Sequence, residues 1–210
     1  MKTLLDCRLY GIVDLGYVKP EHAVAMTAAL VEGGVDILQL RAKGCAAEEI
    51  IALGRLMHPV TQRGGVPLVI NDHPEAALAV GSEGVHVGQD DQAVARARAI
   101  VGPGCFVGKS THSLAQAAAA LKEGADYIGF GPLYATGTKP DYMPIGLEDI
   151  AQVHRDVGAD LPVFCIGGVN SARLDEVMAA GAKRVVVVSA FLLAKDVRAQ
   201  VRALRERLVG

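Results

Sequence analysis

The sequence predicts a single α/β domain, residues 1–210, that folds as a closed (β/α)8 TIM barrel. Eight short apolar segments alternate with amphipathic or Ala-rich segments, which requires crossover connections and a parallel sheet. Eight such units leave no obvious edge strand, which favours a closed barrel over an open doubly wound sheet. No Gly-x-Gly-x-x-Gly motif follows the first apolar segment, which argues against a dinucleotide-binding fold.

A repeated pattern predicts four of the eight strands. A helical stretch ends in a glycine, two or three small or polar residues follow, and a short apolar run comes next. Each glycine suits the left-handed residue that ends a helix, and each apolar run suits a strand buried on both faces. The pattern occurs at residues 34–40, 81–87, 124–130 and 181–187, and four further strands are predicted at 9–14, 67–72, 106–110 and 162–166.

The segments between the strands predict helices and one long loop. Residues 132–144 contain Gly137 and Pro140 and end in Pro144, which predicts a loop on the face where barrel enzymes carry their chemistry. Alanine-rich helix faces are expected to pack against the barrel. Packing of these faces against a second subunit is the alternative, so assembly into a homo-oligomer is left open. The helices are predicted at 21–32, 46–57, 113–123 and 197–208.

Composition and charge exclude several classes of function. Hydrophobic residues make up 51% and charged residues 21%, so a large core is expected and disorder is not. The formal net charge of -2 gives no reason to expect a nucleic acid or an anionic membrane as partner. No apolar run reaches the roughly 18 residues of a membrane span and no signal peptide is recognisable, so a soluble, cytoplasmic protein is expected. The scattered cysteines fit reduced thiols rather than a disulfide framework or a zinc site.

Polar side chains at alternate positions follow the second predicted strand. Gln39, Arg41 and Lys43 are two residues apart and therefore share one face. If that face is the barrel interior, burying two cations is costly unless they have anionic partners. An anionic ligand and a salt bridge to a carboxylate of a neighbouring strand explain the triplet equally well.

Acidic residues end the third and fourth predicted strands, in Asn71-Asp72 and Asp90-Asp91. Neighbouring strands lie about 5 Å apart, so Asp72 and Asp91 can share one hard cation. Few protein carboxylates, several waters and a phosphate ligand are typical of Mg²⁺. Helix capping by the same aspartates is the alternative, although it does not explain why they lie beside a cationic triplet.

Hydroxyl groups mark the end of the fifth predicted strand. The Ser110 hydroxyl can donate to a phosphate, although one of Ser110, Thr111 and Ser113 is expected to cap the following helix. His112 lies beyond the strand and is expected to be a loop or capping residue rather than a catalytic base.

The last three strand ends carry groups that suit phosphate. The loop after the sixth strand fits a lid over phosphate oxygens, with an ordinary turn as the alternative, and it contains Thr136, Thr138 and Lys139. Paired glycines let backbone N–H groups approach an anion closely, and the loops after strands seven and eight hold phosphate in many TIM barrels. These two strands end in Gly167-Gly168 and Val188-Ser189.

Together these segments resemble the thiamine phosphate synthase and thiazole tautomerase family. Each motif alone is weak, but seven of them in order at strand ends are specific, and they cover nearly the whole chain. They lie at residues 39–43, 70–72, 84–91, 108–110, 129–139, 166–168 and 188–189. The sequence departs from the family pattern at Ala135, where many members have proline, and a looser lid with intact ligand groups is expected.

The resemblance implies a reaction and a set of site residues. Hydroxymethylpyrimidine diphosphate and hydroxyethylthiazole phosphate would be joined to give thiamine phosphate and diphosphate through a pyrimidine cation. Mg²⁺ would be held by Asp72 and Asp91. The pyrimidine diphosphate would be bound by Gln39, Arg41, Lys43, Asn71, Ser110 and Lys139, of which Arg41, Lys43, Lys139 and Ser110 are the catalytic candidates. The thiazole phosphate would be bound by Thr136, Thr138, Gly168, Val188 and Ser189.

Three other functions remain open. A thiazole tautomerase of the same family is expected to carry histidine directly after the sixth-strand glycine, where this sequence has Pro132. A catalytically silent barrel that binds thiamine precursors is expected to have lost metal or diphosphate ligands. Another phosphate-handling barrel, such as an aldolase, needs a Schiff-base lysine or an acid–base pair inside the barrel, for which Lys43 is the first candidate.

Overall fold

Eight parallel strands close into a barrel in sequence order, which confirms the predicted fold class. The computed structural model describes residues 3–89, 93–137 and 143–209. The barrel closes where β1 pairs with β8, with Leu9 opposite Val185. The strands are β1 Leu9–Asp14, β2 Ile37–Arg41, β3 Leu68–Asn71, β4 Gly84–Val87, β5 Phe106–Thr111, β6 Tyr127–Phe130, β7 Val163–Cys165 and β8 Val185–Val187.

Helices follow the strands and form the outer layer. Among the described residues none of them is long and apolar enough to cross a membrane. They are α1 Pro20–Gly33, α2 Ala47–Arg63, α3 Pro74–Val80, α4 Val94–Val101, α5 Leu114–Lys122, α6 Ile150–Asp156, α7 Leu174–Ala179, α8 Ser189–Leu192 and α9 Val197–Val209.

Glycines end the helices as the sequence pattern predicts. Gly34 caps α1 with a φ of 103°, and Gly81 caps α3 with a φ of 73°. Both angles lie in the left-handed region that favours glycine, because other residues pay a steric penalty there. The prediction that these glycines separate helix from strand is therefore confirmed.

The predicted end of α2 near residue 57 is wrong, because the helix continues through Pro59 to Arg63. A proline inside a helix removes one backbone N–H and disturbs the preceding turn. His58 and Thr61 are buried on either side of Pro59, so the burial of this helix face continues past the proline. Tertiary packing outweighs the local preference to stop at Met57.

Two hydrophobic clusters divide the core. The larger one lies between the strands and the surrounding helices, and includes Leu9 and Val13 of β1. The smaller one contains Tyr10 and Ile12 of the same strand and therefore lies inside the barrel, because strand residues alternate between faces. Its other members are Cys7, Ile37, Val69, Tyr127, Phe164 and Val186. This interior cluster forms the floor beneath the polar strand ends.

Candidate active site

A cavity opens at the carboxyl ends of the strands, above the interior cluster. Its floor is aromatic, with Tyr10, Tyr127 and Phe164, and its walls combine polar side chains with apolar ones such as Ile166 and Val188. Eight of the residues predicted to bind substrate line this one cavity: Gln39, Arg41, Asn71, Ser110, Thr136, Gly168, Val188 and Ser189. The structure thus brings together groups from β2, β3, β5 and the segments that follow β6, β7 and β8. Their roles as ligands stay predictions.

Arg41 reaches the cavity from β2 and is paired with a buried carboxylate. Its Nη1 atom donates to Oδ2 of Asp14 at 2.8 Å, and Asp14 lies directly opposite Arg41 in the register of β1 and β2. The other carboxylate oxygen of Asp14 accepts from the backbone N–H of Gly16 at 2.9 Å. A guanidinium has five N–H donors, so an ion pair through Nη1 is compatible with binding a second anion.

Lys43 follows β2, is half exposed, and is paired with Asp72, the carboxylate that follows β3. Both cations of the triplet therefore form a salt bridge with a carboxylate of a neighbouring strand or strand end, which is the second of the two explanations given for the triplet. Arg41 itself lines the cavity, and Asp72 directly follows Asn71, which also lines it. Both ion pairs therefore lie close to the strand ends that form the cavity.

The backbone turns sharply at Asp72, which directs its carboxylate back towards β2. Asp72 has a φ of 62°, in the left-handed region that few residues other than glycine adopt. Its N–H donates to the carbonyl of His86 at 2.8 Å, and its Oδ2 accepts from Nδ2 of Asn71 at 2.6 Å. Such a conformation costs on the order of 1–3 kcal/mol and is concentrated at functional sites.

Helix capping is the wrong interpretation of Asp72. The residue before α3 is His73, and no side chain there accepts a capping hydrogen bond.

The capping hydroxyl predicted after β5 is that of Ser113, whose Oγ accepts from the N–H of Gln116 at 3.2 Å at the start of α5. That choice leaves Ser110 in the cavity wall, as the phosphate hypothesis requires.

Three of the predicted site residues, Asp91, Thr138 and Lys139, lie outside the described residues. Within the described ranges no group of three or more His, Cys, Asp and Glu side chains could hold a metal ion. Mg²⁺ does not require such a group, because waters and substrate phosphates supply most of its ligands. The carboxylate of Asp72 is a hard oxygen donor beside the cavity and is suited to that type of site.

The segment leading towards Asp91 is anchored to β5. Lys109 is buried on the outer face of β5, and its Nζ donates to the carbonyl of Gly88 at 2.9 Å. The amide of Gln89 donates to the carbonyl of Ser110. The end of β4 is therefore tied to the strand that carries Ser110.

Glycines shape the side of the cavity formed by β7. Gly167 and Gly168 have φ values of 101° and 70°. A Cβ atom on Gly167 would lie 2.5 Å from Cα of Pro132, and one on Gly168 would lie 2.8 Å from Cβ of Tyr134. These glycines allow the segments after β6 and β7 to pack closely, and both glycines line the same cavity as Ser189.

The loop after β6 is attached at both of its ends. The N–H of Leu133 donates to the carbonyl of Ile166 at 2.8 Å, and the N–H of Ile145 donates to the carbonyl of Pro132 at 2.8 Å. Residues 132–137, 143 and 144 form neither helix nor strand, as predicted. His112, predicted to be a loop residue, lies between β5 and α5, and its Nδ1 contacts the carbonyl of Gly131.

Three polar residues inside the barrel were missed by the sequence analysis, namely Tyr10, His86 and Tyr127. The two tyrosine hydroxyls are 3.0 Å apart, and the Tyr127 hydroxyl is 2.9 Å from Nδ1 of His86. Burial raises the pKa of both tyrosines, so both keep their protons. Alternation along β1, β4 and β6 indicates that these side chains point inward, and this signal was available in the sequence. It does not indicate that the three side chains contact one another.

This molecule is a TIM-barrel protein whose strand ends converge on one cavity, at the face where barrel enzymes carry their active sites. The chain belongs to the thiamine monophosphate synthase family, whose model matches residues 9–191. It is 42% identical over 203 residues to the thiamine-phosphate synthase of Chloroflexus aurantiacus, covering 96% of this chain and 93% of that protein. It is 39% identical over 206 residues to the thiamine-phosphate synthase of Pelotomaculum thermopropionicum, covering 98% and 94%.

A solved structure shows the same fold over the full length. It is the thiamine phosphate pyrophosphorylase from Pyrococcus furiosus, which superposes with a TM-score of 0.88 at 33% sequence identity. The superposition covers 99% of both chains. The resemblance to this family found in the strand-end motifs is thereby confirmed.

Proposed function

We propose that this protein is a transferase that joins hydroxymethylpyrimidine diphosphate to hydroxyethylthiazole phosphate, giving thiamine phosphate and diphosphate. The observation that carries the proposal is the convergence of Arg41, Asn71 and Ser110 with Gly168 and Ser189 around one cavity. Relatives with the corresponding name span nearly the whole chain.

The diphosphate is assigned to the side of the cavity formed by β2, β3 and β5. Arg41 and Asn71 line it, and Lys43 is paired with Asp72, which directly follows Asn71. Lys139 is proposed as a further cation that closes over the same group, and Gln39 and Ser110 complete the pyrimidine diphosphate site. Mg²⁺, held by Asp72 and Asp91, would neutralise charge on the leaving diphosphate.

Bond cleavage is proposed to precede bond formation. The C–O bond to the diphosphate breaks, its electron pair leaves with the diphosphate, and the aminopyrimidine stabilises the methyl cation that remains. Arg41, Lys43 and Lys139 stabilise the departing charge, since fixed charges in a partly dehydrated site act more strongly than in water. The residues therefore act by electrostatics and positioning.

The thiazole phosphate is assigned to the opposite side of the cavity. Thr136, Gly168, Val188 and Ser189 line that side, and Thr138 is proposed to join them. The ring nitrogen of the thiazole attacks the pyrimidine cation with its free lone pair. The reaction therefore requires no nucleophilic residue and no general base. The protein's task is to hold that nitrogen close to the cation.

The other functions fit the molecule less well. Pro132 occupies the position where a tautomerase is expected to carry histidine, and it lines the cavity. A silent regulator is expected to have lost the ligand groups that this cavity retains. An aldolase needs an interior lysine, but the Lys43 side chain is 51% exposed and paired with Asp72.

We also infer that the partners are the two small-molecule substrates, without a nucleic acid or a membrane, and that the protein is cytoplasmic, both from composition and family. Assembly into a homo-oligomer stays a prediction. Ala117 and Ala120 are fully buried against the barrel, so that part of the Ala-rich surface of α5 packs as expected within one chain.

Incubating the purified protein with Mg²⁺ and both substrates tests the function directly. The expected result is thiamine phosphate and diphosphate in equal amounts, with no product in the presence of a chelator. Conversion of a separately supplied non-aromatic thiazole tautomer to the aromatic thiazole, without condensation, would identify a tautomerase. Binding of either substrate without turnover would identify a regulator, and both results would refute the proposal.

A further inference from the structure

An unbroken chain of hydrogen bonds crosses the barrel beneath the cavity. Nε2 of Gln39 donates to the Tyr10 hydroxyl at 2.8 Å, and the Tyr10 and Tyr127 hydroxyls are 3.0 Å apart. The Tyr127 hydroxyl is 2.9 Å from Nδ1 of His86, and Nε2 of His86 is 2.9 Å from Oγ of Ser110. Five side chains from five strands therefore connect one wall of the cavity to the other.

We propose that Gln39, Tyr10, Tyr127 and His86 form a positioning relay that turns the Ser110 hydroxyl into a hydrogen-bond donor towards the diphosphate. The inference rests on the proposed function, since it assigns Ser110 to the diphosphate. It adds three positioning residues that the strand-end motifs do not identify as ligands, namely Tyr10, Tyr127 and His86. None of these three needs to touch the reacting atoms.

The direction of the chain is set by the donors and acceptors once His86 is neutral, which the relay requires. A primary amide nitrogen only donates, a phenol carries one hydrogen, and a neutral imidazole has one donor and one acceptor. When every hydrogen is used, Gln39 donates to Tyr10, Tyr10 to Tyr127, and Tyr127 to Nδ1 of His86. Nε2–H of His86 then donates to Ser110, whose own hydrogen is left to point into the cavity.

The opposite direction would give Ser110 the wrong character for an anion. If Ser110 donated to His86, its oxygen lone pairs would face the cavity and repel the diphosphate. The Gln39 amide disfavours this direction, because the hydrogen of Tyr10 would then lack an acceptor in the chain. The relay therefore selects the orientation of Ser110 that an anionic leaving group requires.

Packing holds the two tyrosine rings in place. The rings of Tyr10 and Tyr127 each pack edge-on against Phe164, with centroids 5.6 Å apart in both pairs. A Cβ atom on Gly108 would lie 2.1 Å from Cζ of Tyr127, so the ring fits only beside a glycine. Phenylalanine would fill the same space without the cost of burying a hydroxyl. The hydroxyls are thus retained for the hydrogen bonds that they make.

A double-mutant cycle between Tyr127 and Ser110 separates a relay from simple packing. Tyr127→Phe keeps the ring and breaks the link between Tyr10 and His86. We expect it to lower kcat about 10-fold, with the KM for the thiazole phosphate changed less than about 3-fold. Ser110→Ala removes the donor itself and is expected to cost on the order of 10²–10³. The double variant should be no slower than Ser110→Ala, because Tyr127 acts only through Ser110.

Two further variants complete the design. Tyr134→Phe is the matched control, because its hydroxyl bonds to Glu176 at 2.8 Å on the outside of the barrel, and its kcat should stay within about 2-fold of the wild type. Tyr10→Phe breaks the relay one step earlier and serves if Tyr127→Phe does not fold. It should also cost nothing further in the Ser110→Ala background.

Binding of inorganic diphosphate with Mg²⁺, measured by calorimetry, tests the relay without turnover. Tyr127→Phe should weaken this binding about 10-fold in the wild-type background and not at all in the Ser110→Ala background. Multiplicative losses in the double variant, or an unchanged Tyr127→Phe, would overturn the relay. Coupled losses in binding with no formation of thiamine phosphate would retain the relay and refute the proposed function instead.

Discussion

Replacing Asp72 by asparagine should separate catalysis from stability. Asparagine has nearly the same shape as aspartate and also tolerates the left-handed backbone, so the φ of 62° can be kept. The main interaction lost is the ion pair with Lys43, whose side chain is 51% exposed. The Asp72 side chain is only 9% exposed, but water can solvate the half-exposed Lys43 ammonium once the carboxylate charge is removed, so the loss costs about 1 kcal/mol. The free energy of unfolding should therefore change by no more than about that amount.

Turnover should respond far more strongly than stability. The carboxylate is proposed to hold Mg²⁺ and to keep Lys43 over the diphosphate, and its charge is removed completely. We expect kcat to fall on the order of 10²–10³, as for the loss of one group that stabilises transition-state charge. Half-saturation by Mg²⁺ should move to higher concentration.

Steady-state kinetics over a range of Mg²⁺ concentrations, combined with urea denaturation of the same samples, measures both effects. Asp72→Gly is the companion variant, because glycine adopts a φ of 62° without strain, so lost activity cannot be attributed to the backbone. An Asp72→Asn enzyme with turnover within about 3-fold of the wild type and an unchanged Mg²⁺ requirement would refute the assignment.

Three further predictions concern the support of the site and the pH dependence of stability. Asp14→Asn leaves the largely buried Arg41 without its carboxylate and should lower the free energy of unfolding by about 3 kcal/mol in urea titrations, with a raised KM for the pyrimidine diphosphate. Gly168→Ala places a side chain at a φ of 70° and should cost at least about 1 kcal/mol of stability while weakening thiazole phosphate binding, measured by calorimetry. His154 has a pKa lowered from 6.5 to about 4 by burial and by the nearby Lys183 and Arg184 charges. Because the unfolded chain takes up this proton first, stability at pH 7 should be lost as pH falls through 6.5 towards 4, by up to about 3 kcal/mol, and His154→Gln should flatten this decline.

The sequence predicts the barrel well because its signals are local. The four glycines that follow a helix and precede an apolar run are recognised from neighbouring residues only, and β1 is found at the predicted residues. The end of α2 is missed because burial of His58 and Thr61, a tertiary effect, overrides the signal of Pro59. Local patterns therefore locate an element more reliably than they locate its end.

The cavity is predictable to the extent that a closed parallel barrel brings all its carboxyl strand ends to one face. Polar residues at those ends must meet, whatever the details of packing, and eight of the predicted residues do line one cavity. The pairing of Arg41 with Asp14 depends in addition on the register of β1 and β2. The anionic-ligand and salt-bridge interpretations of the triplet were thus not exclusive.

The interior relay could not be predicted from the sequence. Tyr10 and Tyr127 are 117 positions apart, and their contact depends on which inward-facing residues meet across the barrel. Alternation along a strand gives the face of each residue but not its partner on a strand that is not adjacent. The small residue that makes room for Tyr127, Gly108, is informative only once the ring beside it is known.

The central claim is that cations and a carboxylate-held metal act together on one diphosphate. Crystals grown with Mn²⁺ in place of Mg²⁺ and with the pyrimidine diphosphate locate the metal by anomalous scattering. We predict one metal ion bound to an Asp72 oxygen and to diphosphate oxygens, at distances near the roughly 2.1 Å of Mg²⁺, with Arg41 and Lys43 on the same diphosphate. A metal ion remote from Asp72, or a diphosphate that contacts neither cation, would contradict the account.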